Sequence, residues 1–356
     1  MNAQFQYVLG IDISMEKFDT HLIQNTLPWQ KGGSSTFFEN SPKGFANLRA
    51  NLRNVTTDFS KILAVMEATG TYYEPLAYEL HKLGVAIRVV LPNLSANFAA
   101  SLNLKSRNDK VDAIMLARMG VERELRPWKP MDPTHRLLRT LSRERKQYME
   151  SRSIAKNQLH AVLKSGVLEE KTIARFKKQI ALFNELVLEI EVQVKEVLKT
   201  NPEVEGKVKL LSTIPGIQTV TAIMLIGETD GFSMISNKKT LISYAGLDVR
   251  KHVSGSSVNK KSRMSKKGNS HIRGGLFVPS WTARRTNPEC KALNDRVFAS
   301  TGLKMKGLVA VMRKMLVQAY FIYKSGLPFD PEYQANKNEK ANVTKQNAIT
   351  KIADMV

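Results

Sequence analysis

The sequence predicts an α/β domain followed by mainly helical regions, and three observations support this division. Residues 1 to about 128 alternate short apolar, strand-like runs with amphipathic, helix-like segments. Residues 129–203 carry apolar residues at a spacing of three and four and contain no strand pattern. Residues 204–328 return to shorter segments, mostly helical in pattern, with a long basic stretch. Alternating strands and helices are typical of an α/β domain with a mixed sheet, and a heptad spacing is typical of paired long helices.

The first region contains five predicted strands and three predicted helices. "YVLGIDIS" and "FDTHLIQ" form a strand pair around a tight turn, and "STFFEN" is a third strand. "SPKGFANLRANL" is a helix, because Ser41 can cap its start and Pro42 suits its first position. The remaining segments are, in chain order, a buried strand, a helix, a strand and a helix: "KILAVMEATG", "YYEPLAYELHKLG", "VAIRVVLP" and "DKVDAIMLARMG".

Residues 129–203 are predicted to form an antiparallel coiled coil of two long helices joined near "KSGVLEE". The second half has a heptad seam made of Ile173, Phe176, Ile180, Phe183, Val187, Ile190, Val194 and Val197. A seam sustained over more than three heptads is characteristic of coiled coils. In the first half Arg145 and Arg152 interrupt the same rhythm. The basic side chains of this half suit either RNA or DNA.

Residues 204–328 are predicted to form a mainly helical domain, and residues 329–356 a flexible tail. "LLSTIPGIQTVTAIMLI" resembles a helix-hairpin-helix motif, in which backbone N–H groups at a glycine turn meet a phosphate. Gln218 stands where that motif usually has its second glycine. The last residues are polar and poor in aromatic side chains, which is typical of mobile termini.

Composition predicts a nucleic-acid-binding protein of a reducing compartment. The 356 residues include 54 Lys and Arg against 32 Asp and Glu, a formal net charge of +22. Such a surplus indicates a polyanionic partner, although a basic surface kept for solubility is the alternative. The single Cys290 allows no internal disulfide. No apolar run approaches the roughly 20 residues of a membrane span, and the N-terminus lacks a signal-peptide pattern. We therefore expect a cytosolic protein that binds DNA or RNA and does not act at a membrane.

Four acids have a context that suggests metal binding. Asp12 lies within the first predicted strand and Glu67 ends a later one, although a carboxylate in apolar surroundings is costly without a partner. Asp109 and Asp112 are three residues apart at the start of one helix, so both can face the same way. Each alone could be a cap or a surface charge. Together they match the carboxylate clusters that hold two Mg²⁺ ions for phosphodiester chemistry, as in ribonuclease-H-like nucleases.

Six motifs in order resemble one family closely. They are "YVLGIDISMEKFD", "VMEATGTYYEPLA", "NDKVDAIMLA", "IPGIQTVTA", "YAGLDVRKHVSGSS" and "SRMSKKGNSHIR". The chain from about residue 6 to about 328 resembles the DEDD transposases of insertion-sequence family one-ten, which also include Piv-type DNA invertases. The family's four acids fall on Asp12, Glu67, Asp109 and Asp112.

The resemblance implies an architecture and a chemistry. It implies a RuvC-like catalytic domain over residues 1–128, a coiled-coil insert over 129–203 and a transposase domain over 204–328. It implies Mg²⁺, with Mn²⁺ as a substitute, and a serine nucleophile at the first serine of "SGSS", which is Ser254. Ser256 and Ser257 are close enough to be the nucleophile instead. The other alternative is that this segment is a loop whose hydroxyls contact DNA without reacting.

The basic residues after Ser254 are candidate phosphate contacts. From Val249 to Pro288 there is no acid and there are ten Lys or Arg. The predicted nucleic-acid-binding residues are Lys260, Lys261, Arg263, Lys266, Lys267 and Arg273. Such contacts make binding salt-dependent. The alternative is that these residues form a basic loop that is solvated and does not contact nucleic acid.

The sequence therefore predicts a DNA recombinase that mobilises an insertion sequence by cutting and rejoining strands. The resemblance implies a non-coding guide, or bridge, RNA that pairs with donor and target DNA. Because strand exchange involves two ends, we expect a homodimer or a homotetramer. Two alternatives stay open. One is a DNA invertase of the same family, and the other is a metal-dependent junction-resolving nuclease that uses water as its nucleophile.

Overall fold

The computed structural model describes residues 4–103, 108–166, 169–254 and 258–332. The chain forms two compact units, residues 1–130 and 131–356. The first unit coincides closely with the predicted α/β domain. The predicted helical insert and the predicted transposase domain belong together to the second unit. Most of the predicted tail lies outside the described residues.

The first unit is built on a five-stranded mixed sheet. Its strands are β1 (Tyr7–Ile13), β2 (Lys17–Gln24), β3 (Ser34–Glu39), β4 (Ile62–Glu67) and β5 (Ala86–Val90). Their spatial order is β3-β2-β1-β4-β5, with β1–β2 and β2–β3 antiparallel and β1–β4 and β4–β5 parallel. All five strands were predicted from the sequence, so the α/β class with a mixed sheet is confirmed.

Helices cover both faces of this sheet. They are α1 (Pro42–Arg53), α2 (Glu74–Lys82), α3 (Pro92–Ser101) and α4 (Asp109–Glu122). The Ser41 hydroxyl accepts a hydrogen bond from the Gly44 N–H at 3.2 Å, as expected of the predicted cap. One apolar cluster joins α1 and α2 to one face, and another joins α3 and α4 to the opposite face. The sequence pattern did not predict α3, a short helix in which apolar positions follow no clear helical period.

The second unit begins with two 31-residue helices, α5 (Pro133–Leu163) and α6 (Glu170–Thr200). They pack side by side, and the two arginines that interrupt the heptad rhythm form polar links between them. Arg145 lies 2.7 Å from Glu191, and Arg152 donates to the Asn184 side-chain oxygen at 2.8 Å. The predicted helical hairpin is therefore present in the described residues. Its designation as a coiled coil stays a prediction.

The rest of the second unit is mainly helical, with one small hairpin of strands. Its elements are α7 (Pro202–Leu211), α8 (Thr219–Thr229), α9 (Lys238–Tyr244), β6 (Val249–Ser254), β7 (Val258–Met264), α10 (Ser270–Thr286), α11 (Pro288–Thr301) and α12 (Lys304–Ser325). A single apolar core joins these helices to the adjoining parts of α5 and α6. No helix among the described residues is both long and apolar enough to cross a bilayer.

The predicted helix-hairpin-helix segment does form two helices, α7 and α8, around a turn at Gly216. Gly216 has a positive φ of 99°, and a Cβ there would come within 3.0 Å of the Pro279 carbonyl oxygen on α10. A glycine is therefore required both by the backbone conformation and by the close approach to α10. Phosphate binding by this turn stays a prediction.

Candidate functional site

Helix α4 lies directly on the first strand because β1 has a glycine at the point of contact. A Cβ on Gly10 would come within 2.0 Å of the Ala113 carbonyl oxygen and 2.4 Å of the Ala117 N–H nitrogen. Any side chain at this position would force α4 off the sheet. Ala113 and Ala117 are four residues apart, so they present one narrow face of the helix to Gly10. The glycine of "GIDIS" therefore sets how closely the acids of α4 approach the strand.

Three strand acids lie on the sheet face that α4 covers. Asp12 is two residues beyond Gly10, so its side chain is on the same face. Asp19 on β2 is the direct Cα partner of Asp12. Glu67 ends β4, one residue beyond the pair formed by Ile11 and Met66, and so lies beside Asp12 in the parallel register. The three carboxyl groups therefore share one face at one end of the sheet.

The other two predicted acids begin α4. Asn108 caps this helix, its side-chain oxygen accepting a hydrogen bond from the Val111 N–H at 2.9 Å. Asp109 and Asp112 both lie in the first turn. Asp109 pairs with Lys17, whose ammonium nitrogen is 2.8 Å from Asp109 Oδ2 and 3.6 Å from Asp19 Oδ2. The hydrogen bond from Lys17 lowers the pKa of Asp109.

Asp12 carries the electrostatic consequence of this arrangement. Its pKa is raised from the ordinary value of 3.8 to about 6. Burial is the largest cause, and the negative charges of Asp112, Asp109, Glu67 and Asp19 add to it in that order. The other three predicted acids thus all act electrostatically on Asp12, and Asp19 adds to their effect.

The residues present fit a hard divalent cation, although the carboxylates do not already form a ligand cage. Among the described residues, no three Asp, Glu, His or Cys side chains converge closely enough to hold a metal ion. The donors are nevertheless all carboxylate oxygens, the ligands that Mg²⁺ and Mn²⁺ prefer. Asp19 Oδ2 is buried and accepts no hydrogen bond. The charge of five acids is opposed locally by the Lys17 ammonium.

Asp19 is the site residue that sequence reasoning missed. From its place in the sequence alone, Asp19 would fit a solvated or capping role, but its side chain is only 18% exposed. The register of the β1–β2 hairpin could have predicted its place in the sheet. Ser14 and Lys17 close the turn between β1 and β2, and counting outward by two residues places Asp19 opposite Asp12.

The predicted nucleophile lies at the end of β6, in the second unit. Ser254 is the last residue of that strand, and its Cα partner is Val258 on β7. The β6–β7 hairpin was not predicted, because its residues are largely polar and basic and show no apolar alternation. The alternative nucleophiles Ser256 and Ser257 lie outside the described residues.

The six predicted nucleic-acid contacts follow Ser254 along the chain. Lys260, Lys261 and Arg263 belong to β7, and Arg263, Lys266 and Lys267 are exposed. Arg273 has a structural role as well, because its Nη1 donates to the carbonyl oxygens of Ala245 at 2.9 Å and Gly268 at 2.8 Å. Contact of these residues with nucleic acid stays a prediction.

A buried carboxylate that the sequence did not single out, Glu228 on α8, links α5 to the start of α10. The Glu228 side chain on α8 is 1% exposed and accepts two hydrogen bonds from Arg143, at 2.7 and 2.8 Å. Asn269, the N-cap of α10, donates a third at 2.7 Å. Burial raises the pKa of Glu228, but the bonds from Arg143 and Asn269 outweigh it and the net shift is downward. Glu228 is therefore held as a carboxylate between three elements.

Taken together, an α/β domain with acids on one sheet face and a strongly basic helical unit define an enzyme that processes nucleic acid. Two family models match the chain. The model of the DEDD region of IS110 transposases, which carries the description transposase, matches residues 9–167. The model described as a transposase of the IS116/IS110/IS902 family matches residues 208–294. The chain belongs to the IS110 family of transposases and is a DNA-recombining enzyme.

Two proteins from Moraxella species are similar to this chain over most of its length. The pilin gene-inverting protein of Moraxella bovis is 28% identical over 323 residues, which cover 90% of this chain and 97% of that protein. The protein of the same name from Moraxella lacunata is similar to the same extent.

Among solved structures, similarity is found to Thermus thermophilus RuvC. It covers 34% of this chain and 99% of RuvC, at 13% identity and a TM-score of 0.26. The complex of T. thermophilus RuvC with a Holliday junction substrate is similar over 35% of this chain and 99% of that chain, at 17% identity and a TM-score of 0.23. Scores this low do not establish a shared fold.

Proposed function

We propose that this protein is the transposase of an insertion sequence, which cuts and rejoins DNA with a metal-bound acid cluster and a serine nucleophile. The observation that carries the proposal is the grouping of Asp12, Glu67, Asp109 and Asp112 at one end of the sheet. Burial there, together with the charges of the neighbouring acids, raises the pKa of Asp12 to about 6. The sheet order with a central β1, flanked by antiparallel β2 and parallel β4, supports a RuvC-like domain.

The four acids would hold Mg²⁺, in a site for two ions, with Mn²⁺ as a substitute. A divalent cation in such a site stabilises the negative charge that develops on a phosphodiester under attack. Asp12 and Glu67 lie on adjacent, hydrogen-bonded strands, so the sheet fixes the positions of their backbones next to each other. Binding of the cation by Asp109 would compete with the ion pair between this carboxylate and Lys17.

Ser254 would supply the nucleophile. Its Oγ loses a proton and attacks the phosphorus of one strand, forming a phosphoserine ester as the bond to the leaving sugar oxygen breaks. The leaving oxygen takes up a proton and becomes a free hydroxyl. Attack by a different strand's hydroxyl on the phosphoserine then reforms a phosphodiester and restores the serine. The energy of the original ester is conserved, so rejoining needs no external source of energy.

Donor and target DNA would lie along the basic residues that follow Ser254. Lys260, Lys261, Arg263, Lys266, Lys267 and Arg273 supply six cationic groups in 14 residues without an acid. The family resemblance and the net charge of +22 support a guide RNA as a further polyanionic partner. Exchange between two DNA ends supports a homodimer or homotetramer, acting on bacterial DNA in the cytoplasm.

One observation favours a second candidate function within the same chemistry. The Moraxella relatives, which align with 90% of this chain, are named as proteins that invert a pilin gene. A DNA invertase would use the same acids and the same serine on a fixed chromosomal segment. The DNA flanking the gene distinguishes the two, because a transposase is bounded by the ends of its own element.

The decisive experiment looks for a covalent link between protein and DNA. Labelled substrate is incubated with the protein and its co-purifying RNA, and products are separated on a denaturing gel with and without protease. The wild type should give a protease-sensitive shifted band. Ser254→Ala should bind DNA normally and give no such band, whereas Ser256→Ala and Ser257→Ala serve as matched controls and should keep it.

A different result would support the junction-resolving nuclease. Cleaved DNA without attached protein, equally abundant in Ser254→Ala and the wild type, would identify water as the nucleophile. Sequencing of the RNA that co-purifies with the protein tests the guide separately. Recovery of only heterogeneous cellular RNA would contradict a dedicated guide.

A further inference from the structure

Ser95 is a fully buried hydroxyl residue next to one of the predicted metal ligands. It is the fourth residue of α3 and has no exposed surface. Its Oγ makes a short hydrogen bond to Glu67 Oε2. A second contact, to the Pro92 carbonyl oxygen, measures 2.9 Å. Burial of a hydroxyl is unfavourable unless it is hydrogen-bonded, so these two contacts account for its place in the interior.

The topology of the sheet brings α3 to Glu67. Glu67 ends β4, and its partner in the parallel ladder is Val90, the last residue of β5. Helix α3 begins two residues later, with Pro92 at its first position. Its first turn is therefore next to the strand end that carries Glu67. The positive end of the α3 dipole is favourably placed for a carboxylate.

The two contacts of Ser95 are not equivalent, because a hydroxyl has one hydrogen to donate. A bond to an ionised carboxylate is stronger than one to a neutral carbonyl. Ser101, on the same helix, makes the carbonyl contact by itself, donating to Phe98 at 2.7 Å. The contact with Glu67 is thus what distinguishes Ser95. Among the residues that the structure describes, the hydrogen bond recorded for the other carboxylate oxygen, Oε1, is a long one of 3.4 Å from the Thr69 hydroxyl.

We propose that Ser95 is a positioning residue, whose hydroxyl holds one oxygen of Glu67 and leaves the other oriented toward the divalent cation. This inference rests on the proposed metal site. A ligand that is held by an outer hydrogen bond loses less freedom when it binds a metal, and removal of such a bond typically weakens metal affinity about 10–100-fold. Ser95 touches neither DNA nor the reacting phosphate in this role.

The test measures binding of Mn²⁺ alone to the metal-free, full-length protein by calorimetry. The variants are Ser95→Ala and Ser95→Cys. Alanine lacks the hydroxyl and is smaller than serine, whereas cysteine is similar in volume but only a weak donor. Ser101→Ala is the matched control, and Glu67→Gln defines the loss of the ligand itself. Thermal midpoints in chelator establish that each variant is folded. We expect Mn²⁺ to bind about tenfold more weakly to both Ser95 variants and unchanged to Ser101→Ala.

A second readout separates positioning from a general structural effect. In a Mg²⁺ titration of DNA cleavage, Ser95→Ala should need about tenfold more Mg²⁺ for half-maximal rate and recover most of the rate at saturation. If either folded Ser95 variant binds Mn²⁺ like the wild type while Glu67→Gln binds it poorly, the positioning role is wrong and the metal site stands. If Glu67→Gln also binds Mn²⁺ normally, Glu67 is not a ligand and both proposals fail.

Discussion

Asp12 and Asp19 stand directly opposite each other across the first two strands of the sheet. Burial is the largest cause of the rise in the pKa of Asp12 to about 6, and repulsion from Asp19 across this pair adds the smallest of the charge effects. A pair of this kind is unfavourable for the metal-free fold. In the proposed metal site, a bound cation would offset this repulsion.

The first prediction concerns the pH dependence of stability. An acid whose folded-state pKa is raised opposes folding above that pKa, because the folded protein must lose a proton that it holds more tightly than the unfolded chain does. Ionisation of Asp12 should therefore destabilise the metal-free protein as pH rises from about 4 to about 6. Asp12→Asn should unfold at a higher temperature than the wild type above about pH 6, and this difference should shrink toward about pH 4.

Thermal unfolding in chelator at several pH values checks this expectation. Addition of Mg²⁺ should raise the midpoint of the wild type and not that of Asp12→Asn. A difference between the two proteins that is constant with pH would mean that Asp12 is not the titrating group.

The second prediction concerns the acids as a set. Asp12→Asn, Glu67→Gln, Asp109→Asn and Asp112→Asn should each abolish recombination and leave nucleic-acid binding intact, because each removes a ligand charge at almost constant volume. Asp19→Asn should reduce recombination, since Asp19 shares their sheet face. Glu79→Gln is the control, an acid of the same unit that pairs with Lys82 on α2.

Recombination in cells, measured beside binding by purified protein, distinguishes these outcomes. Near-normal recombination in any of the four would remove that residue from the metal site. Normal recombination in Asp19→Asn would mean that Asp19 is not required for the reaction and only contributes to the raised pKa of Asp12.

The third prediction concerns the lysine that pairs with Asp109. Because the Lys17 ammonium and a divalent cation compete for the same carboxylate, Lys17→Gln should lower the Mg²⁺ concentration needed for half-maximal cleavage. The pair is solvent-exposed, so we expect a change of only about two- to fivefold. Lys82→Gln, which removes an exposed ion pair on α2, is the matched control and should leave the Mg²⁺ requirement unchanged. A higher Mg²⁺ requirement in Lys17→Gln would instead show that Lys17 assists the site.

The fourth prediction concerns the basic segment. Replacement of Lys260, Lys261, Lys266 and Lys267 by Gln should flatten the dependence of log affinity on log salt by roughly 0.7–0.9 for each lysine–phosphate interaction that the substitutions remove. The control replaces four exposed lysines of α6, Lys177, Lys178, Lys195 and Lys199, and so has the same net charge. DNA binding titrated over a range of salt concentrations measures both slopes. Equal slopes in the two quadruple variants would place the nucleic acid elsewhere.

The fifth prediction concerns the buried carboxylate of the second unit. Arg143 is 42% exposed, whereas its partner Glu228 is 1% exposed. Arg143→Met should therefore cost about 2–4 kcal/mol of folding free energy, because it leaves a buried charge without its main partner. Glu228→Gln should cost less, since water can solvate the released guanidinium.

A matched substitution on the same helix isolates the effect of burial. Arg145→Met removes an arginine from Glu191, which is 39% exposed, and should cost no more than about 1 kcal/mol. Chemical denaturation gives the three values. An equal loss of folding free energy in Arg143→Met and Arg145→Met would mean that the burial of Glu228 does not determine the cost of removing its arginine partner.

Local features of the chain were readable from the sequence because their causes are local. Ser41 and Pro42 mark the start of α1 through one side-chain acceptor and one fixed φ angle. The strands follow from apolar runs of suitable length, and the two long helices from their apolar period. Asp12 and Glu67 stood out because acids are unusual in apolar strands, and Asp109 and Asp112 because they lie three residues apart at the start of one helix.

Contacts between distant segments were decided only by the tertiary structure. Asp19 became part of the site through strand register, and Ser95 reached Glu67 because β4 and β5 end side by side. Glu228 and Arg143 are 85 residues apart and meet through helix packing. Spacing along one chain does not encode such pairs, because they depend on how separate elements pack. The sequence by itself determined which acids were available, and folding determined which of them act on Asp12.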